Sequence, residues 1–400
     1  MNIVQINSVN FGSTGNITLK IADAARKEGH TVYTACPRSR DNQKKTVENQ
    51  IFIGNRFSRN LHRILARITG LYGCFSYFST LRFLRRIKRL KIDIIHLHNL
   101  HAYYINLPLL FRFIKKNNIK TIWTLHDCWA FTGQCPYFTY AKCDKWENGC
   151  YACSQYKRYP ESYVDRTRLM YKKKKRWFTG VKDMTIVTPS LWLKELAKRS
   201  FLKEYPVTVI NNGIDLNVFK PSESDFREKN GIGKDKKILL GVAFDWEARK
   251  GLDVFTKLEG RLDPDKYKIV LVGTNDETDK TLPKSIISVH RTPNQTELAK
   301  IYTAADLFIN PTREENYPTV NMEALACGTP VLTFNTGGSA EIPDKKCGAY
   351  VPTDDVDALE KMILSICASS PFSTEACLER AKNFDHTEKF GDYIKLYEKI

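Results

Sequence analysis

No run of apolar residues in this chain is long enough to cross a bilayer. The longest uncharged apolar stretch, Ile68 to Leu81, falls short of the roughly 18 residues a spanning helix needs. The opening MNIVQINSV lacks the basic start and long apolar segment of a secretory signal, so a cytoplasmic protein is expected. Acidic residues are scarce in the first half. Residues 1–200 hold 36 Lys and Arg against 12 Asp and Glu, whereas residues 201–400 hold 26 against 32. The formal charge of +18 therefore belongs to the first half alone. A field of that sign attracts diphosphates, anionic lipid headgroups or nucleic acid. The sequence patterns of the common nucleic-acid-binding modules are missing, which weighs against the last of these. Nor do the cysteines suit a disulfide framework: there are 11, an odd number, with no export signal.

What is present is a steady alternation. Short apolar runs (MNIVQIN, TVYTAC, IFIG, IDIIHLHN, KTIWTLHD, MTIVTPS) are separated by amphipathic segments, and the pattern restarts with KILLGVAF, KIVLVG, ISVHR, LFINPT and PVLTFN. Alternating strands and helices imply parallel sheets buried on both faces. A length of 400 residues suits two such domains of about 200 residues each.

The stretch from Asn310 to Glu341, NPTREENYPTVNMEALACGTPVLTFNTGGSAE, reads as strand, acidic loop, helix, strand and glycine turn. Pro318 is expected at the first helical position, and Cys327-Gly328 closes the helix. Glu315 then lies at the helix start and Glu323 about a turn and a half inside. Carboxylates accept hydroxyl hydrogen bonds and a helix N-terminus accepts phosphate, so the pair suits a ligand carrying vicinal hydroxyls and a phosphate.

Other features invite chemistry. The turn SVNFGSTGN places the amides of Gly12 to Asn16 at a helix start. His126 ends the strand KTIWTLHD, and polar residues at that end of a parallel strand face a ligand crevice. His96 and His98 share one side of their strand and read as packing or crevice residues. From Asn55 to Lys91, ten Lys and Arg accompany apolar positions at helical spacing. That pattern fits a helix pair lying on an anionic membrane surface, or a core pair with a basic solvent face. Cys135, Cys143, Cys150 and Cys153 suit a closed structural zinc site or an unmetallated packing cluster.

The spacing of Glu315, seven residues and Glu323, followed by ALACGTPVLTFNTGGSAE, resembles the donor-site signature of the retaining glycosyltransferases of family four. HLHNLHAYYINLPLLF resembles a subgroup found in bacterial polysaccharide assembly. The resemblance implies an α/β GT-B architecture, with two Rossmann-like parallel-sheet domains facing a cleft. VTVINNGIDLNVFKP resembles the interdomain crossing, with Gly213 as hinge. The implied division is 1–205 on the acceptor side, 206–380 on the nucleotide-sugar side, and a helix over 381–400 returning to the first domain. The implied activity is transfer of a hexose, without a catalytic metal, from a nucleotide sugar to a glycan or polyprenyl-diphosphate-linked acceptor at the inner face of the membrane. Glu315 would contact the donor sugar, Glu323 the ribose, and His126 the sugar from the other domain. Lys250, ahead of Gly251, matches the diphosphate-contacting lysine. The arginine usual about five residues earlier is replaced by Asp245 or Trp246, which makes Arg249 the substitute. The family often has Gly-Phe-Gly after the first Glu. Here Asn316-Tyr317-Pro318 moves phosphate contact to Thr319 and Val320, and Gly15 is carried over from the first glycine turn. The readings that compete with this are a basic nucleic-acid-binding protein with a zinc module, and a nucleotide-sugar epimerase of the same architecture.

Overall fold

Ile, Val and Leu dominate the strand segments, and the runs Ile94–Leu97, Met184–Thr188, Leu307–Asn310 and Val331–Phe334 are buried along their whole length, as parallel pairing between helical layers requires. The computed structural model of the protein describes residues 1–400 and arranges the runs in two separate sheets. The first contains β1 (Asn2–Ile6), β2 (Thr31–Pro37), β3 (Gln50–Ile53), β4 (Ile94–Leu97), β5 (Lys120–Thr124), β6 (Met184–Thr188) and β7 (Val207–Val209). Its order is β3-β2-β1-β4-β5-β6-β7, with every pair parallel. The second contains β8 (Lys237–Val242), β9 (Tyr267–Val272), β10 (Ile287–Val289), β11 (Leu307–Asn310), β12 (Val331–Phe334) and β13 (Gly348–Val351). Its order is β10-β9-β8-β11-β12-β13, again all parallel.

Strand order reverses between β1 and β4 in one sheet and between β8 and β11 in the other. Loops leaving the carboxyl ends of two such strands turn to opposite faces, which opens a crevice there. In the second sheet those loops carry Lys250 and Glu315.

The chain divides into two compact units, Met1–Asn211 with Lys389–Ile400, and Asn212–Glu388. The first boundary falls beyond the expected 205/206 because β7 still pairs with β6, through Ile186 opposite Val207 and Thr188 opposite Val209. The return also starts later than residue 381, because helix Thr374–Lys382 packs on helix Thr319–Ala326 within the second unit. Gly213 lies beside the first boundary and is closely packed. A Cβ there would lie 2.5 Å from His386 Cα. The two segments run side by side, with Ile214 N–H donating to Phe384 O at 2.8 Å and His386 N–H to Ile214 O at 3.0 Å.

In the first unit the terminal helix His386–Lys399 buries Phe390, Tyr393, Ile394 and Tyr397, spaced as one helical face, against Ile3, Ile21, Ile94, Ile122 and Val187. The Tyr397 hydroxyl meets His96 Nδ1 at 2.6 Å, and His96 Nε2 meets Thr124 Oγ1 at 2.8 Å. His96 is thereby a satisfied core residue, whose pKa burial pushes down to about 3. Phe390→Ala is expected to destabilise the first unit by about 3–5 kcal/mol through cavity formation. The neighbouring Gly391→Ala, whose Cβ would meet nothing within 4 Å, is expected to stabilise it by about 0.5–1 kcal/mol. Urea denaturation midpoints of the two variants check both signs.

Candidate active site

Three loops meet at the carboxyl end of the second sheet. The loop after β8 closes with a tight turn, Ala248–Lys250, and Gly251. The loop after β11 runs from Pro311 into helix Thr319–Ala326, and the turn after β12 carries Gly337-Gly338. Pro318 stands just outside the helix as its cap, with φ −72° and ψ 118°, so Thr319 and not Pro318 is the first helical residue. The helix ends at Cys327, and Gly328 follows in the left-handed region at φ +84°. Two glycines let the loops touch. At Gly251 (φ +80°) a Cβ would lie 2.4 Å from Pro311 O, and at Gly337 (φ +57°) only 1.7 Å from Glu315 O. Gly338 N–H then donates to Asn316 O at 2.8 Å, fixing the backbone next to Glu315.

The charged groups complete the frame. Arg313 is buried, and its guanidinium grips both carboxylate oxygens of Asp253 at 2.7 and 2.8 Å. It also donates to Asp354 and to Ala248 O. Its backbone N–H donates to Arg249 O at 2.8 Å, while the Arg249 side chain donates to Glu314 O at 3.2 Å. This holds the lysine loop against the glutamate loop, and Lys250 Nζ reaches Glu315 Oε2 at 2.5 Å.

The two glutamates differ in electrostatics. Burial would raise the Glu315 carboxyl, but the charge and hydrogen bond of Lys250, with Arg249 and the Asn316 N–H, outweigh it and hold the group below its ordinary pKa. Glu315 is therefore an ionised acceptor at neutral pH. Glu323 has no cation beside it. Burial pushes it up to about 7, against the opposing hydrogen bonds of the Tyr302 hydroxyl, at 3.1 Å, and the Thr319 side chain.

Of the residues singled out in the sequence, Arg249, Lys250, Glu315, Asn316, Thr319, Val320 and Glu323 fall in this one region of the second unit. Tyr317 offers only its backbone there. Its ring is 5 % exposed and packs into the core near Phe384. Trp246, at the place of the missing arginine, is a core residue whose indole donates to Val272 O at 3.0 Å. Sequence reading missed Tyr302, a fully buried partner of Glu323, and the Arg313–Asp253–Asp354 clamp.

The other candidates belong to the first unit. Gly15 lies within the first turn of helix Gly12–Lys27, not in a loop. A Cβ there would sit 2.7 Å from Asn10 C, so the glycine lets the preceding turn fold back on the helix. His126 Nε2 meets His98 Nδ1 at 3.0 Å with the rings stacked, and burial lowers its pKa to about 4. It is a neutral imidazole at physiological pH, a hydrogen-bonding group rather than a ready proton source. His101 joins Asp127 at 3.1 Å and the Tyr159 hydroxyl at 2.8 Å. Cys135, Cys143, Cys150 and Cys153 line one small pocket, and none is in a disulfide.

The raised pKa of Glu323 has a stability consequence. The folded chain holds this proton up to about pH 7, whereas the unfolded chain loses it near 4.5, so stability falls as pH rises between those values and is level above them. The drop is about 3 kcal/mol. Glu323→Gln is expected to remove it. Chemical denaturation of both proteins at pH 5 and pH 8 checks this, and parallel pH dependences would contradict it.

Comparison with known proteins agrees with this geometry. Residues 14–218 match the family model described as Glycosyltransferase Family 4, and residues 236–369 match Glycosyl transferases group 1. The putative colanic acid biosynthesis glycosyl transferase WcaC of Escherichia coli K12 is 24% identical over 322 residues, 77% of this chain and 76% of that protein. Among solved structures, sucrose-phosphate synthase from Thermosynechococcus elongatus superposes with a TM-score of 0.72 at 19% identity, covering 100% of this chain and 98% of that one. Anabaena HepE in complex with UDP-glucose gives 0.69 at 12% identity, covering 100% of both. With two doubly wound parallel sheets of the GT-B kind and a family match over half its length, the chain belongs to glycosyltransferase family 4.

Proposed function

We propose that the protein transfers a hexose, with retention of anomeric configuration, from a nucleotide sugar to a glycan or polyprenyl-diphosphate-linked acceptor in surface polysaccharide assembly. The observation that carries this reading is the Lys250–Glu315 ion pair at the start of helix Thr319–Ala326, with Glu323 on the same helix. The diphosphate rests on the amides of Thr319 and Val320, whose donors the helix leaves unpaired, and draws Lys250 and Arg249 toward it. Glu315, ionised and released from part of its lysine contact, accepts hydroxyls of the sugar. Glu323 accepts the ribose hydroxyls. As the bond to the sugar breaks, negative charge grows on the diphosphate, and two cationic side chains with helix amides supply the compensation that a divalent metal would otherwise give. A relative named for colanic acid biosynthesis supports a role in polysaccharide assembly, and a UDP-glucose-bound structural neighbour supports a nucleotide-sugar donor.

The acceptor class implies work at the cytoplasmic face of a membrane. No helix of the structure is long and apolar enough to cross one. Helix Arg56–Thr69, however, turns Phe57, Leu61, Ile64 and Ile68 outward, and Phe78 of helix Tyr77–Arg89 is 81% exposed. The four positions of the first helix form one stripe, while its buried side chains are His62 and Ala66. Arg56, Arg63, Arg82, Arg85, Arg86 and Arg89 are exposed on the same two helices. An apolar stripe flanked by arginines matches an anionic bilayer surface.

Glu315→Gln and Lys250→Ala are each expected to lower kcat/KM for sugar transfer by about 10²–10³ with the far-ultraviolet spectrum unchanged. Full transfer by both would defeat the site. Product analysis by NMR distinguishes transfer with retention from inversion, and a donor epimerised without acceptor would favour the epimerase reading. For the membrane, the double variant Phe57→Asp, Ile64→Asp is expected to lose sedimentation with phosphatidylglycerol vesicles while keeping turnover of a soluble acceptor. Undiminished sedimentation would assign the stripe elsewhere.

A further inference from the structure

Between the end of the short turn Trp129–Phe131 and helix Thr167–Phe178, residues 132–166 contain neither helix nor strand. A segment of that length without elements of its own is uncommon in a compact domain, and this one is tied to the core through Phe138, Trp146 and Cys150. Cys135, Cys143, Cys150 and Cys153 all fall within it and line a cavity of about 30 Å³, large enough to hold a water or an ion, walled by Phe138 and Trp146. The backbone around the last two cysteines is tightly turned. Cys150 and Ala152 take the left-handed conformation at φ 46° and 42°, which curls Cys-Tyr-Ala-Cys into a tight turn. The Gly133 N–H donates to Cys150 Sγ at 3.1 Å, a bond that would strengthen were the sulfur a thiolate.

A second observation lies beside the cavity. Lys174 is fully buried, and its ammonium bonds only the Trp129 carbonyl and lies 3.7 Å over the Trp129 ring. The groups within electrostatic reach of it are Cys150, Cys135 and Asp127. Asp127 is already engaged with His101 and the Trp129 N–H. Negative charge on the sulfurs would favour the ammonium form of this buried amine.

We propose that Cys135, Cys143, Cys150 and Cys153 bind one Zn²⁺ as a closed tetrathiolate site that staples residues 132–166 beside the strand end carrying His126. Four thiols give up four protons to the solvent, and the metal with four thiolates forms a dianion that favours the charged form of Lys174. With four protein ligands the site is structural and leaves no position for substrate. Zinc–sulfur bonds of about 2.3 Å set the sulfurs about 3.8 Å apart. The thiols face the cavity at wider spacing than that, since the one group whose ligating atoms all lie within 4.8 Å of one another is the exposed Asp276, Asp279 and His290. Metal loading therefore draws the loop inward. The inference is independent of the donor site in the second unit.

The test uses the full chain purified in reductant without chelator. Elemental analysis is expected to find about one zinc per chain, and Cys150→Ser with Cys153→Ser to abolish it. Because those variants could fail to fold, the deciding arm is chelated wild-type protein titrated with Co²⁺. Thiolate-to-cobalt charge transfer and the intense visible bands of a tetrahedral site, saturating at one equivalent, support the proposal. Lys174→Met is expected to weaken zinc binding about 10- to 100-fold in chelator competition. Wild-type chain that carries no zinc and gives no charge-transfer band overturns it, as does zinc that persists in a folded double serine variant.

Discussion

The guanidinium of Arg313 holds together the loops at the carboxyl end of the second unit's sheet. It is buried, yet both oxygens of Asp253, the Asp354 carboxylate and the Ala248 carbonyl satisfy it. Losing these partners would leave the buried guanidinium uncompensated. The network spans loops that follow β8, β11 and β13, so it fixes their mutual position more firmly than the glycine contacts alone. Lys250 and Glu315 meet only because this frame brings one loop onto the other. The cation that reaches the carboxylate is poised by a different cation that never faces the ligand.

The same frame divides the work of two carboxyls of one residue type. Glu315 sits among cations and amides and remains ionised. Glu323, one and a half turns along the helix, has only neutral hydroxyls, and burial raises it to about 7. Its ionised form is a stability cost that the fold retains. A buried carboxyl with unfilled acceptor capacity is what a pair of ribose hydroxyls would satisfy, and the stability it forgoes would be recovered on binding. Affinity for a hydroxyl-bearing ligand and reduced stability without one are then two aspects of a single placement.

Much of this was legible in the sequence. The alternation of buried-type strands with helical segments gives two parallel sheets, and the seven-residue spacing of Glu315 and Glu323, with Lys250, picks out residues that the fold brings to the carboxyl end of the second sheet. What escaped reading depended on tertiary choice. Three successive charges, Arg313-Glu314-Glu315, look solvent-facing, and nothing local tells that the first is buried in a clamp with Asp253 and Asp354, sixty and forty-one positions away. Tyr302 is a core aromatic by periodicity, and only the fold turns its hydroxyl to Glu323. Tyr317 reads as a loop residue beside a ligand, but apolar contacts with the core turn its ring inward. The helix over residues 56–69 shows the reverse. Its periodicity reports two faces without saying which one the fold covers, and the larger apolar side chains turn out to face solvent. Gly15 reads as part of a phosphate turn, and its role emerges only from the backbone of Asn10 lying where a side chain would be.

A crystal structure of the chain soaked with UDP-glucose tests the central claim most directly. The account predicts both ribose hydroxyls within hydrogen-bond distance of the Glu323 carboxylate, with Lys250 Nζ moved from Glu315 onto the diphosphate. A nucleotide bound elsewhere on the second unit, or one whose ribose leaves Glu323 untouched with the Lys250–Glu315 pair intact, would contradict it.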